Sequence, residues 1–531
     1  MSSSSQVAYD LGVTVKVSAT TRGWAGPIAV TLLAFALRVW NLGYPKTFLF
    51  DETYYAKDAY ALTKFGYVQD FVAKANDRII DGKFTGLFTG QPTQIVHPDG
   101  GKWIISIGEW LFGMDSFGWR ISAAVVGSLT ILVLARLVRR LTGSTIMGCL
   151  AGLLLCFDGV HFVMSRIALL DVFLVFWLVS AVACHVADHD WISTKNGAGV
   201  GRKRRLFRPW QLAAGVSFGL ACGTKWSAVY VLAAFGLTVV VLEVLARRRA
   251  WKESGENRHG KIPGWISTTV LVGVPAFITI VGVAFLVYLF TWTGWLLHHD
   301  LYETRFGHGY GENPAWGSYI DSPAKNLFGE SLQAFRSLWH YHQMTYDFHT
   351  GKYLAGQTHP YQSNPAAWLV LERPVGVDAQ NDLPAASCGA PAGSSCMRQI
   401  LILGNPIIWW SGALALLAAI VAWIGTRDWR WSIPLVGVAA TWLPWFLYDD
   451  RPIFLFYAVA IIPFTIIAVV LVIDGLWKAA KTPRRRYLVA LITGIYLVAV
   501  IACFWYFHPI YTDALISYDD WYKRMWFKRW I

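Results

Sequence analysis

Residues 117–140 read FGWRISAAVVGSLTILVLARLVRR. A long apolar run lies between a single arginine, Arg120, and a basic cluster at Arg136, Arg139 and Arg140. Its length approaches the roughly 20 residues that a helix needs to cross the hydrocarbon of a bilayer. The charge asymmetry of its two ends sets an orientation, because Lys and Arg accumulate in cytoplasmic loops.

Runs of this kind recur along the chain. We read about eleven spans: residues 25–43, 118–138, 145–163, 167–186, 209–223, 226–245, 265–290, 405–424, 430–447, 453–475 and 487–507. Composition agrees, since 55% hydrophobic and only 15% charged residues exclude a soluble domain of 531 residues. Aromatic residues, at 15%, suit the headgroup belts in which Trp and Tyr settle. A net charge of +13 could suggest nucleic acid, but the basic residues are grouped between apolar runs and form no single basic face, so nucleic acid is not a partner.

With the N-terminus in the cytoplasm, RLVRR at 136–140, GRKRRLFR at 201–208, RRRAWK at 247–252, TRDWR at 426–430 and KTPRRR at 481–486 all fall inside. The short outer connections carry the single charges Arg166, Lys225 and Arg451. This predicts a multi-pass plasma-membrane protein with its C-terminus outside. The opening MSSSSQVAYD lacks the apolar core and cleavage site of a removable signal peptide, so the first span serves as targeting signal. The expected organisation is a cytoplasmic tail (1–24), a membrane module (25–290) with a first outer loop at 44–117, a second outer loop (291–404), C-terminal spans (405–507) and an outer tail (508–531). Outer segments this long are usually functional. No internal repeat is apparent, although many transporters carry one.

Cys149, Cys156, Cys184, Cys222 and Cys503 lie in or beside spans and read as small apolar residues. Cys388 and Cys396 stand in the second outer loop, where an oxidising compartment permits a disulfide, and we expect that bond.

The first outer loop opens with FLFDETYYAKDAY at 48–60, which places Asp51 and Glu52 at the start of a short helix. Acidic residues cap helices there, so capping competes with catalysis as their role. Consecutive helical residues point about 100° apart, so the two carboxylates cannot share one role. Arg38 lies inside the first span, 51 − 38 = 13 positions before Asp51. An arginine in lipid either snorkels to the interface or faces an anionic partner in a protein interior. Arg120 sits at the outer end of the second span, and Asp158, His161, Arg166 and Asp171 crowd the hairpin LCFDGVHFVMSRIALLDVF at 155–173. Asp158 and His161 are three apart and can share a helix face. A structural Arg166–Asp171 ion pair is an equal alternative to a catalytic use. Lys225 and Trp226 mark the next outer connection, and His97 and Lys102 lie in HPDGGKWIISIGEW at 97–110. Convergent cations beside an acidic helix start suit an anionic headgroup and a general base. No motif supports metal or nucleotide chemistry.

Taken together, FLFDETYYAKDAY, HPDGGKWIISIGEWLFG, FGWRISAAVVGS, FDGVHFVMSRIALLDVF, CGTKWSAVYV and DDRPIFLFYAVAIIPF resemble, in family order, the protein O-mannosyltransferases. These are membrane glycosyltransferases of the GT-C fold. The resemblance implies that Asp51 is the catalytic base with Glu52 beside it, and that Arg38 and Arg120 match the family's arginines near the ends of the first two spans. Eukaryotic members insert a β-trefoil MIR domain in the second large loop. Here that loop holds only about a hundred residues and looks like the actinomycete-type branch. Asp99 also stands where the family more usually has proline.

The implied reaction is inverting transfer of mannose from polyprenyl phosphate mannose to a Ser or Thr hydroxyl of a secreted or membrane polypeptide, at the outer face. Arg120, Lys225 and Arg38 would stabilise the departing phosphate, with His97, Lys102, Asp158, His161, Arg166, Asp171, Trp226 and Arg451 completing the substrate site. The lipid-linked donor is the substrate, membrane lipids surround the enzyme, and whether it works beside the secretion channel is open. Two rivals stand: a sister GT-C enzyme with another sugar or a glycolipid acceptor, and a lipid-linked sugar flippase. A transporter expects its charges near the bilayer midplane, whereas these lie at the outer interface.

Overall fold

The structure, a computed structural model, describes residues 19–196, 208–253, 264–322 and 326–531. Of the basic cluster at 201–208 only Arg208 lies within the described residues, and the N-terminal tail before residue 19 lies outside them, as do the side chains of 250–252.

Among the described residues seven helices are long and apolar enough to cross a membrane: Ser116–Thr142, Leu170–Ile192, Ala228–Arg249, Trp265–Thr291, Pro406–Thr426, Ile462–Ala479 and Pro483–Tyr511. Two shorter apolar helices, Gly23–Val39 and Thr145–Cys156, stand at the first and third runs of the sequence. The runs at 209–223 and 430–447 form the shorter helices Pro209–Cys222 and Ser432–Trp442. The run at 145–163 is broken. Its helix ends at Cys156 and restarts as Gly159–Met164, because the Asp158 carboxylate caps the new helix by accepting from the His161 N–H at 2.9 Å. The run at 453–475 opens as a 3-10 turn, Leu455–Ala460, before Ile462–Ala479 begins with Pro463 in its first turn, where a missing N–H costs nothing.

Local chemistry fixes these elements. Ser116–Thr142 starts where the Asp115 carboxylate accepts from the N–H groups of Phe117 and Gly118, and it ends where Gly143, at φ 76°, takes the left-handed conformation a side chain would resist. Trp265–Phe277 widens into a π-helical turn at Ile278–Gly282 just after Pro275, which has no N–H for the ladder, and resumes as Val283–Thr291. Close helix approach requires Gly127, where an added Cβ would lie 2.2 Å from the Ser165 hydroxyl.

Leu170–Ile192 and Ser116–Thr142 form the centre, with 72% and 67% of their most apolar stretches buried, whereas Pro483–Tyr511 buries 17% and presents the rest outward. One end of the bundle gathers the basic connections. There Arg140 pairs with Asp190 at 3.1 Å, and Arg430 and Lys478 donate to the carbonyls of Leu141 and Thr142.

The opposite end carries the two large loops. The first contributes the helices Glu52–Phe65 and Gly100–Phe112 and the antiparallel strands Gln69–Phe71 and Phe88–Pro92. In the second, helix Leu327–Thr350 precedes a hairpin of Val375–Pro384 and Ser395–Ile402, in which Cys388 of the turn is disulfide-bonded to Cys396 of the second strand. Strand Ile516–Ser517 from the C-terminal segment joins this sheet, and Arg398 donates to the Asp513 carbonyl at 3.0 Å. The described residues are thus mostly helical, with two small sheets in the loops that helical periodicity did not foresee.

Candidate active site

The acidic pair at the head of the first loop separates into two environments. Glu52, fully buried, accepts four hydrogen bonds: Oε1 from Arg120 Nε at 2.8 Å and the Ala168 N–H at 2.9 Å, and Oε2 from Arg120 Nη2 and the Leu49 N–H, both at 2.8 Å. The rest of the Arg120 guanidinium donates to the carbonyls of Leu42, Pro45 and Thr47. Two charges are thereby sealed between the first loop, the second span and the turn before Leu170. Planar, bidentate pairing of this kind is what arginine geometry favours.

Asp51 does none of this. It occupies the N-cap position of Glu52–Phe65, yet its side chain makes no capping bond. Among the described residues it has no ion-pair partner. Its carboxyl faces a cavity of about 1630 Å³. Burial pushes its pKa up to about 6, with Lys225 pulling down and Asp171 pushing further up.

Of the hairpin cluster after Thr145–Cys156, Asp158, His161 and Arg166 belong to the sealed side with Arg38. Arg38 donates to the Ala34 carbonyl and meets His161 Nδ1 at 3.0 Å. Arg166 donates to the carbonyls of Arg38 and Trp40, each at 2.7 Å. Besides its capping bond, Asp158 accepts from Trp409 Nε1 at 2.7 Å and the Asn405 N–H. The Arg166–Asp171 pair offered by the sequence does not form. Asp171 turns instead to Lys225, at 2.8 Å across 54 positions, because Arg166 is drawn to the open carbonyls at the end of the first helix.

Seven of the sequence-derived site residues line the cavity: Asp51, His97, Lys102, Asp171, Lys225, Trp226 and Arg451. Glu52, Arg38, Arg120, Asp158, His161 and Arg166 do not. Lys102 is buried between Asp58, at 3.0 Å, and Asp99, at 3.1 Å. The aspartate at 99 thus has an ionic partner in this chain. Arg451 forms no ion pair among the described residues. Its Nη1 lies 3.5 Å from His349 Nδ1, and its buried Nε has no partner. The cavity is also lined by the apolar side chains of Leu174, Leu178, Val281, Ala284 and Phe285 from the spans.

Sequence reasoning missed Asp58, Tyr288, His342 and His349. Asp58 was legible, since it follows Asp51 by seven positions and so repeats on the same helix face. His342 and His349 are likewise seven apart, on the helix Leu327–Thr350. Among the described residues no three His, Cys, Asp or Glu side chains converge as metal ligands.

A cavity lined by an unpaired carboxylate, an arginine without a carboxylate partner among the described residues, and apolar side chains, carried on a polytopic helical bundle, fits a membrane glycosyltransferase of the GT-C class. The solved Saccharomyces cerevisiae protein O-mannosyltransferase Pmt1–Pmt2 complex bound to the sugar donor shares the fold at TM-score 0.68 and 13% identity, covering 97% of this chain and 93% of that one. The apo Archaeoglobus fulgidus oligosaccharyltransferase shares it at TM-score 0.51 and 14% identity, over 95% of this chain and 57% of that one. The family profile of dolichyl-phosphate-mannose-protein mannosyltransferase matches residues 28–291, and that of the C-terminal four TMM region of protein-O-mannosyltransferase matches residues 334–530. The polyprenol-phosphate-mannose–protein mannosyltransferase of Mycolicibacterium smegmatis is 35% identical over 96% of this chain and 93% of its own length. Those of Mycobacterium tuberculosis and Corynebacterium glutamicum are each 33% identical, over 96% and 91% of this chain and 92% and 88% of their own lengths. The chain belongs to the protein O-mannosyltransferase family.

Proposed function

We propose that this protein transfers a mannosyl group from polyprenyl phosphate mannose to Ser or Thr hydroxyls of polypeptides, with inversion, at the outer face of the plasma membrane. The observation that carries the reading is Asp51, a carboxylate with no ion-pair or capping partner among the described residues, on the wall of a cavity that also presents Lys225 and Arg451. The carboxylate accepts the hydroxyl proton as the hydroxyl oxygen bonds to the anomeric carbon. The anomeric carbon–phosphate oxygen bond breaks, and polyprenyl phosphate leaves with the electron pair. Negative charge grows on that phosphate, and fixed cations at that point lower the barrier.

Arg120 and Arg38, assigned to the phosphate from sequence, are held in the sealed junction away from the cavity wall. We assign the phosphate to Arg451, whose guanidinium has no carboxylate partner among the described residues, with Lys225 in the lining of the same cavity. The apolar lining from the spans suits the first isoprene units, and the lining from Thr93, Gln94, His97 and the helix Leu327–Thr350 suits an extended peptide.

The test is a mass increase of one hexose on a Ser/Thr-rich peptide incubated with purified protein and polyprenyl phosphate mannose in detergent. Transport requires a sealed membrane and transfer does not, so absence of product there would overturn the reading.

A further inference from the structure

Trp226 is held in the cavity wall by a chain of hydrogen bonds whose direction is fixed by proton count. His342 Nδ1 lies 2.7 Å from the Leu338 carbonyl, which can only accept, so Nδ1 carries the ring proton and Nε2 is the acceptor. The Tyr288 hydroxyl, 2.5 Å from that Nε2, must therefore donate to it. Its oxygen is then free to accept from Trp226 Nε1, 3.0 Å away, which can only donate. Each polar hydrogen has one destination. The His342 ring also stacks on the indole at 5.5 Å between centroids and 23° between planes, and His349 meets it edge-on at 6.2 Å.

An indole fixed through its polar edge and backed on one side keeps a flat apolar surface for a ligand. Trp226 is partly exposed, lines the cavity and adjoins Lys225, whose charge reaches Asp51. The group that must lie between base and phosphate is the transferred sugar, and one face of a pyranose is a patch of C–H bonds that packs on an aromatic ring.

We propose that Trp226 is the platform for the transferred hexose, with Tyr288 and His342 as positioning residues that hold its plane. This rests on the lipid-linked sugar reading above. Loss of the platform affects the sugar-bearing donor and spares the lipid phosphate.

The experiment uses the full-length protein in detergent and two ligands, polyprenyl phosphate mannose as substrate and sugar-free polyprenyl phosphate as competitor. Trp226→Leu should raise the donor KM about tenfold, the scale of a lost aromatic contact with its buried area, while the Ki of the competitor and the peptide KM stay put. Tyr288→Phe keeps the ring and removes both hydrogen bonds, and should shift the donor KM in the same direction by a smaller factor. Trp226→Phe, which retains a flat face, should recover part of the loss. Equal rises in donor KM and competitor Ki would place Trp226 on the isoprenyl phosphate, and a change confined to peptide KM would place it in the acceptor path. Either result overturns the platform. Should Trp226→Leu fail to fold, an unchanged donor KM in a stable Tyr288→Phe protein overturns the positioning chain. Wild-type protein that transfers no mannose would instead overturn the functional reading on which the platform rests.

Discussion

The junction around Glu52 and Arg120 and the cavity wall around Asp51 and Arg451 lie at the same end of the bundle and use the same residue types. In the junction Glu52 accepts four hydrogen bonds, Arg120 donates to one carboxylate and three carbonyls, and Arg166 closes over the end of the first helix, while Arg38 keeps one buried Nε unpaired. On the wall, Asp51 caps nothing and Arg451 keeps an unpartnered buried Nε. Burying a charge is costly unless it is paired. A satisfied cluster therefore reads as structure, and an unsatisfied one beside a cavity reads as a site awaiting its ligand.

The strongest way to break this contrast is to exchange the roles of the adjacent acids. Glu52→Ala leaves Arg120 charged and uncompensated in a sealed space, a loss of about 3–5 kcal/mol. It should appear as poor expression and a large fall in thermal unfolding temperature, with transfer lost because the fold is lost. Even Glu52→Gln should destabilise, because an amide NH2 replaces one of the two acceptor oxygens that face four donors.

Asp51→Asn should do the reverse. Asn cannot take the hydroxyl proton, so transfer to a synthetic peptide should fall by roughly a hundredfold or more. Unfolding temperature should remain near wild type, since the side chain makes no capping bond to lose. Near-normal transfer by a stably folded Asp51→Asn protein would exclude it as the base.

Arg451→Met comes next. Removing a charge-assisted contact to phosphate costs about 1.5–3 kcal/mol, so the donor KM should rise roughly tenfold or more while peptide KM holds. The same exchange at Arg120 should show as instability. If Arg451→Met left the donor KM unchanged, the phosphate would have to rest on Lys225 alone.

Much of this was legible in the chain and some was not, for identifiable reasons. The apolar runs and the DE pair at 51–52 announce a polytopic fold with a site at the first loop. The different fates of Asp51 and Glu52 depend on Arg120 and the Ala168 N–H, 68 and 116 positions from Glu52, and no local pattern encodes such a meeting. Proximity suggested Arg166 for Asp171, whereas the fold supplies Lys225. The hairpin at 155–173 reads as part of the substrate site because sequence shows charge density but does not show which charges find partners. The cavity histidines sit on a loop helix whose role emerges only when it closes over His97 and Arg451.

The acid limb of the rate profile sharpens the contrast at smaller cost. A base must be deprotonated to work, and burial pushes Asp51 up to about 6, against the ordinary aspartate value near 4. Transfer at subsaturating donor should therefore be flat above about pH 6 and fall tenfold per unit below it. A limb near pH 4 would mean that Asp51 is better solvated than its place on the wall implies.

The smallest effect on transfer belongs to the Cys388–Cys396 disulfide, and it tests which side of the membrane both clusters face. The bond ties the hairpin turn to its second strand, and neither cysteine lines the cavity. It closes a short loop, a constraint of roughly 2–3 kcal/mol on the unfolded chain. Cys388→Ser should lower the unfolding temperature modestly and leave transfer at the wild-type rate. The informative measurement is the oxidation state in the native membrane. Disulfides persist in oxidising compartments and are rare in reducing ones, so non-reducing peptide mapping should recover the two cysteines as one linked peptide pair. The helix Leu327–Thr350 of the same loop lines the cavity, so the side of the bilayer that holds this hairpin also holds Asp51 and Arg451. Two free thiols would place the loop in a reducing compartment and overturn the assignment of the site to the outer face.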